Sequence, residues 1–400
     1  MIKGRRIVVV LETLQLGGAE RQAVQLAEHL LHKYEAKVEV WGFADEGRAA
    51  RLCESLRISW KLVRPHWGQY SFSQWMKASA AFAYLLRRAR AEILLPYCAR
   101  SNVICALAWR LAGAKACIWN QRDEGIGIDR ASIATQWAVR SSPAYVSNSR
   151  NTAEFLVRTF GVPLERIPIV HNGVELAPPR RNRLAWRSDL RIAESAFVAC
   201  MLANIHRNKD HTTLLKAWRL VLDNTRSSQQ QPVLLLAGSI HPEAEEVKIL
   251  ARELNLGQSV RFLGPVDDVA GLLSAADLGV FSSKSEGCPN GVLESMASGL
   301  PIVATDIPGI REAVGIAGRE YLAPVDNAAA FAVKIIDLAR CPNQLEFLGK
   351  ANRDWIRAEF SPHQMVNKMV TEISKILDRR NSWFKSRSNG NEGGARRLLS

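Results

Sequence analysis

The chain has 400 residues, 47% of them hydrophobic, and a formal net charge of +14 from 53 Lys and Arg against 39 Asp and Glu. That length suffices for two ordinary domains with separate cores, and the composition excludes low-complexity and fibrous classes. No apolar run reaches the roughly 18–20 residues of a membrane span, and no recognised nucleic-acid module accompanies the charge, so no nucleic-acid partner is expected.

The opening "MIKGRRIVVVLETL" sets basic residues before an apolar run, as a secretory signal does. The apolar run "IVVVL" is too short for that role and Glu12 closes it, so a first β-strand is predicted. Short β-branched runs then alternate with amphipathic stretches, the pattern of a parallel α/β fold. Strands are predicted at "RIVVVLE", "KVEVWGF", "ISWKLV", "EILLPY", "KACIWNQ", "AYVSNS" and "IPIVHNGV". Between the first two, "GAERQAVQLAEHLLHK" sets Ala23, Leu26, Ala27, Leu30 and Leu31 on one helical face. The segment "ELAPPRRNR" interrupts as a linker would, with two prolines and three arginines. A second series follows at "AFVACMLAN", "PVLLLAGS", "VRFLG", "LGVFSS", "PIVATD" and "REYLAPV". The predicted organisation is one α/β unit over residues 1–178 and another over 179–360. A last helix over 361–380 opens at a Ser-Pro pair, and a tail at 381–400, rich in Asn, Ser, Gly and Arg, reads as disordered.

The positive charge is uneven. Residues 1–178 hold 24 Lys and Arg against 15 Asp and Glu, residues 179–378 hold 23 of each, and residues 379–400 hold six against one. Solubility accounts for the excess as readily as a surface that meets anionic lipid or an anionic acceptor. The seven cysteines (Cys53, Cys98, Cys105, Cys117, Cys200, Cys288 and Cys341) are scattered and form no C-x-x-C pair, which suggests reduced thiols in a cytoplasmic protein without a zinc site.

Parallel sheets bind ligands beyond the carboxyl ends of their strands, so residues just after each strand matter most. After the first strand, Gly17 and Gly18 open a helix whose free N–H groups suit an anion, although a plain strand-to-helix turn explains the pair equally well. After the first strand of the second unit, "LANIHRNKDHTTLL" carries Arg207 and Lys209 before a helix that Asp210 or Thr212 caps. Those cations are either solvated or placed to neutralise a diphosphate. His206 and His211 lack a third metal-ligating neighbour and are assigned non-metal roles. The stretch "SEGCPNGVLES" is the most informative. Gly287, Cys288, Asn290, Gly291 and Val292 offer N–H groups around a helix start near Asn290, a positive end suited to an anion or to sugar hydroxyls. Glu286 before the turn and Glu294 one turn into the helix supply carboxylates, which accept hydrogen bonds from vicinal hydroxyls.

The run "VRFLGPVDDVAGLLSAADLGVFSSKSEGCPNGVLESMASGLPIVATDIPGIREAV" closely resembles the C-terminal half of retaining GT-B glycosyltransferases of family 4, with Glu286 and Glu294 matching their E-x7-E element. The likeness extends back through "VSNSRNTAEFLVRTFGVPLERIPIVHNGVE" and, more loosely, to "LGGAER". It implies two Rossmann-like domains facing across a cleft, the first binding an acceptor and the second a nucleotide-diphosphate sugar, with the last helix over 361–380 crossing back to the first. Glu286 would face the transferred sugar and Glu294 the ribose. Lys209 takes the place of a diphosphate-binding lysine, but Asn204 stands where the family usually has arginine, and Arg207 is the nearest substitute. Arg122, beside Asp123, aligns where a histidine near the reacting carbon is usual.

The resemblance implies sugar transfer to a hydroxyl of a glycan or lipid-linked glycan, with no cofactor and no metal. The uneven charge adds an expectation of salt-reversible attachment to anionic membrane, weakened when residues 381–400 are removed. A nucleotide-sugar epimerase, a non-catalytic partner subunit and a basic nucleic-acid binder are the alternatives, in that order.

Overall fold

A computed structural model describes residues 2–64, 71–225, 230–239 and 242–395. The chain divides into two compact units, the first Met1–His171 with His363–Ser400 and the second Asn172–Pro362.

The first unit is built on six strands: β1 Arg6–Thr13, β2 Lys37–Ala44, β3 Ser59–Leu62, β4 Ile93–Pro96, β5 Ala116–Gln121 and β6 Ala144–Ser147. They pair in parallel in the order β3-β2-β1-β4-β5-β6. The two-residue period of a strand sends alternate side chains to opposite faces. Along β1, Val8 and Val10 enter one apolar cluster while Ile7, Val9 and Leu11 enter another. Helices cover both faces, which explains why the strand reads as an unbroken apolar run.

The second unit repeats the plan with β7 Val198–Leu202, β8 Val233–Ala237, β9 Val260–Gly264, β10 Leu278–Phe281, β11 Ile302–Thr305 and β12 Leu322–Ala323. Their order is β12-β11-β10-β7-β8-β9. Ala199 and Met201 of β7 face one cluster, and Val198 and Cys200 face the other.

Three expectations change. "IPIVHNGV" is not a strand: it touches β6 through an isolated bridge at Ile169, where Val170 N–H donates to Ser147 O and Ser147 N–H to Pro168 O. Pro168 has no N–H to extend the ladder. The unit boundary falls at His171/Asn172, and the presumed linker is tied into the second unit, because the Arg180 and Arg181 amides donate to Asp268. The last helix runs from Pro362 to Ala395, through most of the stretch expected to be disordered. Each residue added to a formed helix gains a hydrogen bond, and no proline interrupts this one. Residues 396–400 lie outside the described residues. Met365, Val366, Met369, Ile373 and Leu377 of this helix belong to the core of the first unit.

Candidate active site

In the second unit β7 and β10 are neighbours, yet β7 leads to β8 on one flank and β10 to β11 on the other. Where winding reverses in this way, a crevice opens beyond the carboxyl ends of the two strands. The segments that leave them hold most of the candidate residues.

Beyond β7 the chain forms a short 3-10 turn at Arg207–Lys209 and reverses at Asp210, which has a left-handed φ of 47°. The Asp210 carboxylate then caps the helix His211–Asn224 by accepting the Thr213 N–H at 3.3 Å. This geometry turns Lys209 toward β10. Its ammonium pairs with the Glu286 carboxylate, which also accepts from Ser283 Oγ at 2.7 Å. Both partners are largely sheltered, with side chains 28% and 12% exposed. Ser282 Oγ donates to the Lys209 and Asp210 carbonyls at 3.0 and 2.9 Å, and Lys284 N–H donates to Asn208 O at 2.8 Å. The two loops are therefore laced together around the ion pair.

The helix Asn290–Ala297 starts behind Pro289 with no side-chain cap. The amides of its first turn have no acceptor inside the helix, so its positive end suits an acceptor from outside. Two glycines bring the parts close. A Cβ on Gly291 would lie 2.1 Å from Leu202 O, and one on Gly309 would lie 2.3 Å from Glu286 O. Asn172 fixes the turn by donating from Nδ2 to Cys288 O at 3.1 Å and to Asn290 Oδ1 at 2.6 Å. Gly287, Cys288, Asn290, Gly291 and Val292 thus follow Glu286 around one turn, with Glu294 buried one turn along the helix.

Other candidates fall elsewhere. Arg207 is 81% exposed and faces Glu243 at 4.0 Å, away from the Lys209–Glu286 pair. Asn204 Oδ1 accepts the Ser239 N–H at 2.9 Å, so its carboxamide joins the β7 and β8 loops. His211 is buried with no hydrogen-bond partner on either ring nitrogen. Burial, and then the nearby Lys209 charge, lower its pKa to about 4. His206 accepts the Asn208 N–H.

In the first unit the matching reversal lies between β1 and β4. Gly17 donates its N–H to the Glu20 carboxylate at 3.2 Å, so the helix Gly18–His32 supplies an anion to its own start. Glu12 accepts the Arg100 N–H at 2.6 Å, and Asp123 accepts from Gly125 and Ile126 at 2.8 and 2.9 Å. Burial raises the pKa of all three carboxyls. Arg122 lies over the Tyr97 ring with 5.0 Å to its centroid. Arg122, Gly17 and Gly18 therefore belong to the first unit, and Lys209, Glu286 and Glu294 to the second.

Sequence reasoning did not single out Asn172, Ser283 or Gly309. Asn172 sits inside "VHNGVE", whose likeness to the family was its available signal. Ser283 and Gly309 gain meaning only from the folding that brings them to Glu286.

Residues 182–355 match the family model described as glycosyl transferases group 1, and residues 16–178 match glycosyltransferase family 4. The D-inositol 3-phosphate glycosyltransferase of Streptomyces bingchenggensis is 28% identical over 225 residues, covering 54% of this chain and 50% of that protein. The chain spans about half the length of the curated relatives it matches. Anabaena Alr3699/HepE, solved in complex with UDP and glucose, superposes with a TM-score of 0.79 at 18% identity, covering 93% of this chain and 100% of that one. Sucrose-phosphate synthase of Thermosynechococcus elongatus gives 0.73 at 18%, covering 94% and 100%. At such identities the likeness is one of fold.

Proposed function

The chain belongs to the family 4 glycosyltransferases of GT-B fold, and on that premise we propose that it moves a sugar from a nucleotide-diphosphate sugar to a hydroxyl, retaining the anomeric configuration. The observation that carries this reading is the sheltered Lys209–Glu286 pair, set beside the helix start at Asn290 in the crevice of the second unit.

Lys209 and the first-turn amides provide positive charge where the diphosphate gains negative charge as it leaves, which is electrostatic stabilisation built into the fold. An arriving diphosphate competes with Glu286 for Lys209 and frees carboxylate lone pairs for the sugar hydroxyls. Glu294 takes the ribose. In the transfer the bond from the anomeric carbon to the phosphate oxygen breaks and a bond to the acceptor oxygen forms on the same face. The hydroxyl proton leaves with the diphosphate. Because Lys209 and the amides supply the positive charge, this reading requires no metal.

The acceptor proposed is a glycan or lipid-linked glycan of cell-surface polysaccharide synthesis, met on the cytoplasmic side at an anionic membrane. HepE, solved with UDP-glucose, makes uridine donors the first to test. In a thermal-shift screen of nucleotide-diphosphate sugars, a true donor raises the melting temperature by binding only the native state. Lys209→Ala should abolish that shift and most of the transfer while keeping the fold. Parent-like transfer by Lys209→Ala would refute the diphosphate assignment.

One observation favours a second reading, a donor-binding partner without catalysis. Asn204 stands where the family usually has arginine and is engaged with Ser239. Donor binding with no turnover across acceptors would select it.

A further inference from the structure

The donor reading rests mainly on groups of the second unit and leaves most of the excess positive charge of the first unit without a role. Part of it lines a cavity at the free edge of the first sheet. Between β3, an edge strand, and the helix Phe72–Arg88 lies a cavity of about 740 Å³. That volume is within the range of sites that bury a small ligand.

Its lining divides by chemistry. Val63, Ala78 and Phe82 form a buried apolar floor, and Leu85, 39% exposed, continues it outward. Arg64 and Lys77 also line it, with no acidic partner among the described residues, and no carboxylate is among the described lining residues. Lys61 differs, being held 3.4 Å from Glu39 and 3.8 Å over the Trp41 ring. On the same helix, Phe72 packs edge to face with Trp137 at 5.5 Å while the two remain 38% and 52% exposed. Exposed Trp together with Lys and Arg is the composition of a surface that meets lipid headgroups. An apolar floor with two cations that have no acidic partner among the described residues fits a molecule with a hydrocarbon chain and an anionic head.

We propose that this cavity binds an anionic membrane phospholipid, one hydrocarbon chain against Val63, Phe82 and Leu85 and the phosphate between Arg64 and Lys77. The site rests on, and deepens, the reading that the protein works at an anionic membrane. Each basic residue near such a surface is worth about 1 kcal/mol, or about fivefold in affinity, and salt screens the attraction.

The 400-residue chain is titrated with monomeric short-chain phosphatidylglycerol in a thermal-shift assay. It is also sedimented with phosphatidylcholine vesicles, with and without long-chain phosphatidylglycerol, at low and high salt. The parent should be stabilised by the monomer and pelleted by the anionic vesicles at low salt only. Arg64→Glu with Lys77→Glu should weaken vesicle binding by at least about 25-fold. Ala81→Trp, a solvent-exposed position in the lining, should fill the cavity and remove stabilisation by the monomer. Deleting residues 381–400 should leave that stabilisation intact. If both cavity variants behave as the parent and only the deletion loses vesicle binding, the cavity assignment is wrong and the membrane reading survives through the tail. If Ala81→Trp alone behaves as the parent, the basic rim acts without the cavity and the lipid site is refuted. If the parent stays in the supernatant at low salt, the membrane reading fails as well. None of these results alters the nucleotide-sugar shift, which tests the second unit separately.

Discussion

Glu286 and Glu294 share residue type and helix-start neighbourhood but differ in setting. Glu286 is tied to Lys209 and Ser283, so its loss frees the lysine while leaving the helix start intact. Glu294 is buried and is assigned to the ribose. Glu294→Ala should therefore weaken binding of free nucleotide diphosphate by about 1.5–3 kcal/mol for each charged hydrogen bond lost. Glu286→Ala should chiefly lower turnover, and equal loss of nucleotide affinity in both variants would contradict this division. His211 gives a pH signature at the same scale. Its folded pKa is about 4 because burial and Lys209 oppose the charged ring, whereas the unfolded chain binds the proton near 6.5. Between those values the unfolded state holds more protons, so stability is full above 6.5 and falls as pH drops toward 4, by about 3 kcal/mol from this group. Urea denaturation from about pH 7 to 4.5 should show a smaller loss in His211→Leu than in the parent. Parallel curves would assign the acid sensitivity to other groups.

Two elements meet at Gly309. The helix Pro308–Val314 starts so close to the loop after β10 that a Cβ there would lie 2.3 Å from Glu286 O and 2.5 Å from Gly287 O. Backbone oxygens cannot rotate aside as a flexible side chain can, so the helix or the loop must move. Gly309→Ala should cost about 1–3 kcal/mol of stability through overpacking. It should also weaken donor binding, because the displaced loop carries Glu286 and the amides beside it. Calorimetric titration with the donor found by screening, together with a melting curve, would show both effects. Unchanged affinity and stability would mean that the contact relaxes freely.

Across the whole molecule, chain order and unit membership differ. The helix from Pro362 follows the second unit in sequence, yet Met369 and Ile373 are 1% and 0% exposed in the core of the first. Ile373→Ala should therefore destabilise the first unit by about 2–5 kcal/mol, as large-to-small core substitutions do. Hydrogen exchange should show protection lost in β1 and β2 and kept in β7 and β8. Loss confined to the second unit would contradict the packing. A cut after Arg380 should change the stability of the first unit little, since among the described residues the core contacts of this helix end at Leu377.

Local rules were enough to read most of the strands and the E-x7-E turn. Apolar periodicity is written residue by residue, and the glycines and Pro289 mark the turn wherever the chain goes. The two-unit plan was legible for the same reason, apart from "IPIVHNGV", where β-branched composition predicted a ladder that Pro168 prevents. Distance in sequence hid the rest. Lys209 and Glu286 are 77 positions apart, and Asn172 reaches Asn290 across 118. Arg207 and Lys209 looked equivalent as neighbours on one loop, but the 3-10 turn and the left-handed Asp210 send only Lys209 to the carboxylate. Gly17 and Gly18 offered N–H groups to an anion, and only the fold shows that Gly17 gives its own to the carboxylate of Glu20. Residue types and local spacing determined which chemistry was present; the parallel winding of each sheet, which places the ends of β7 and β10 side by side, decided which groups meet.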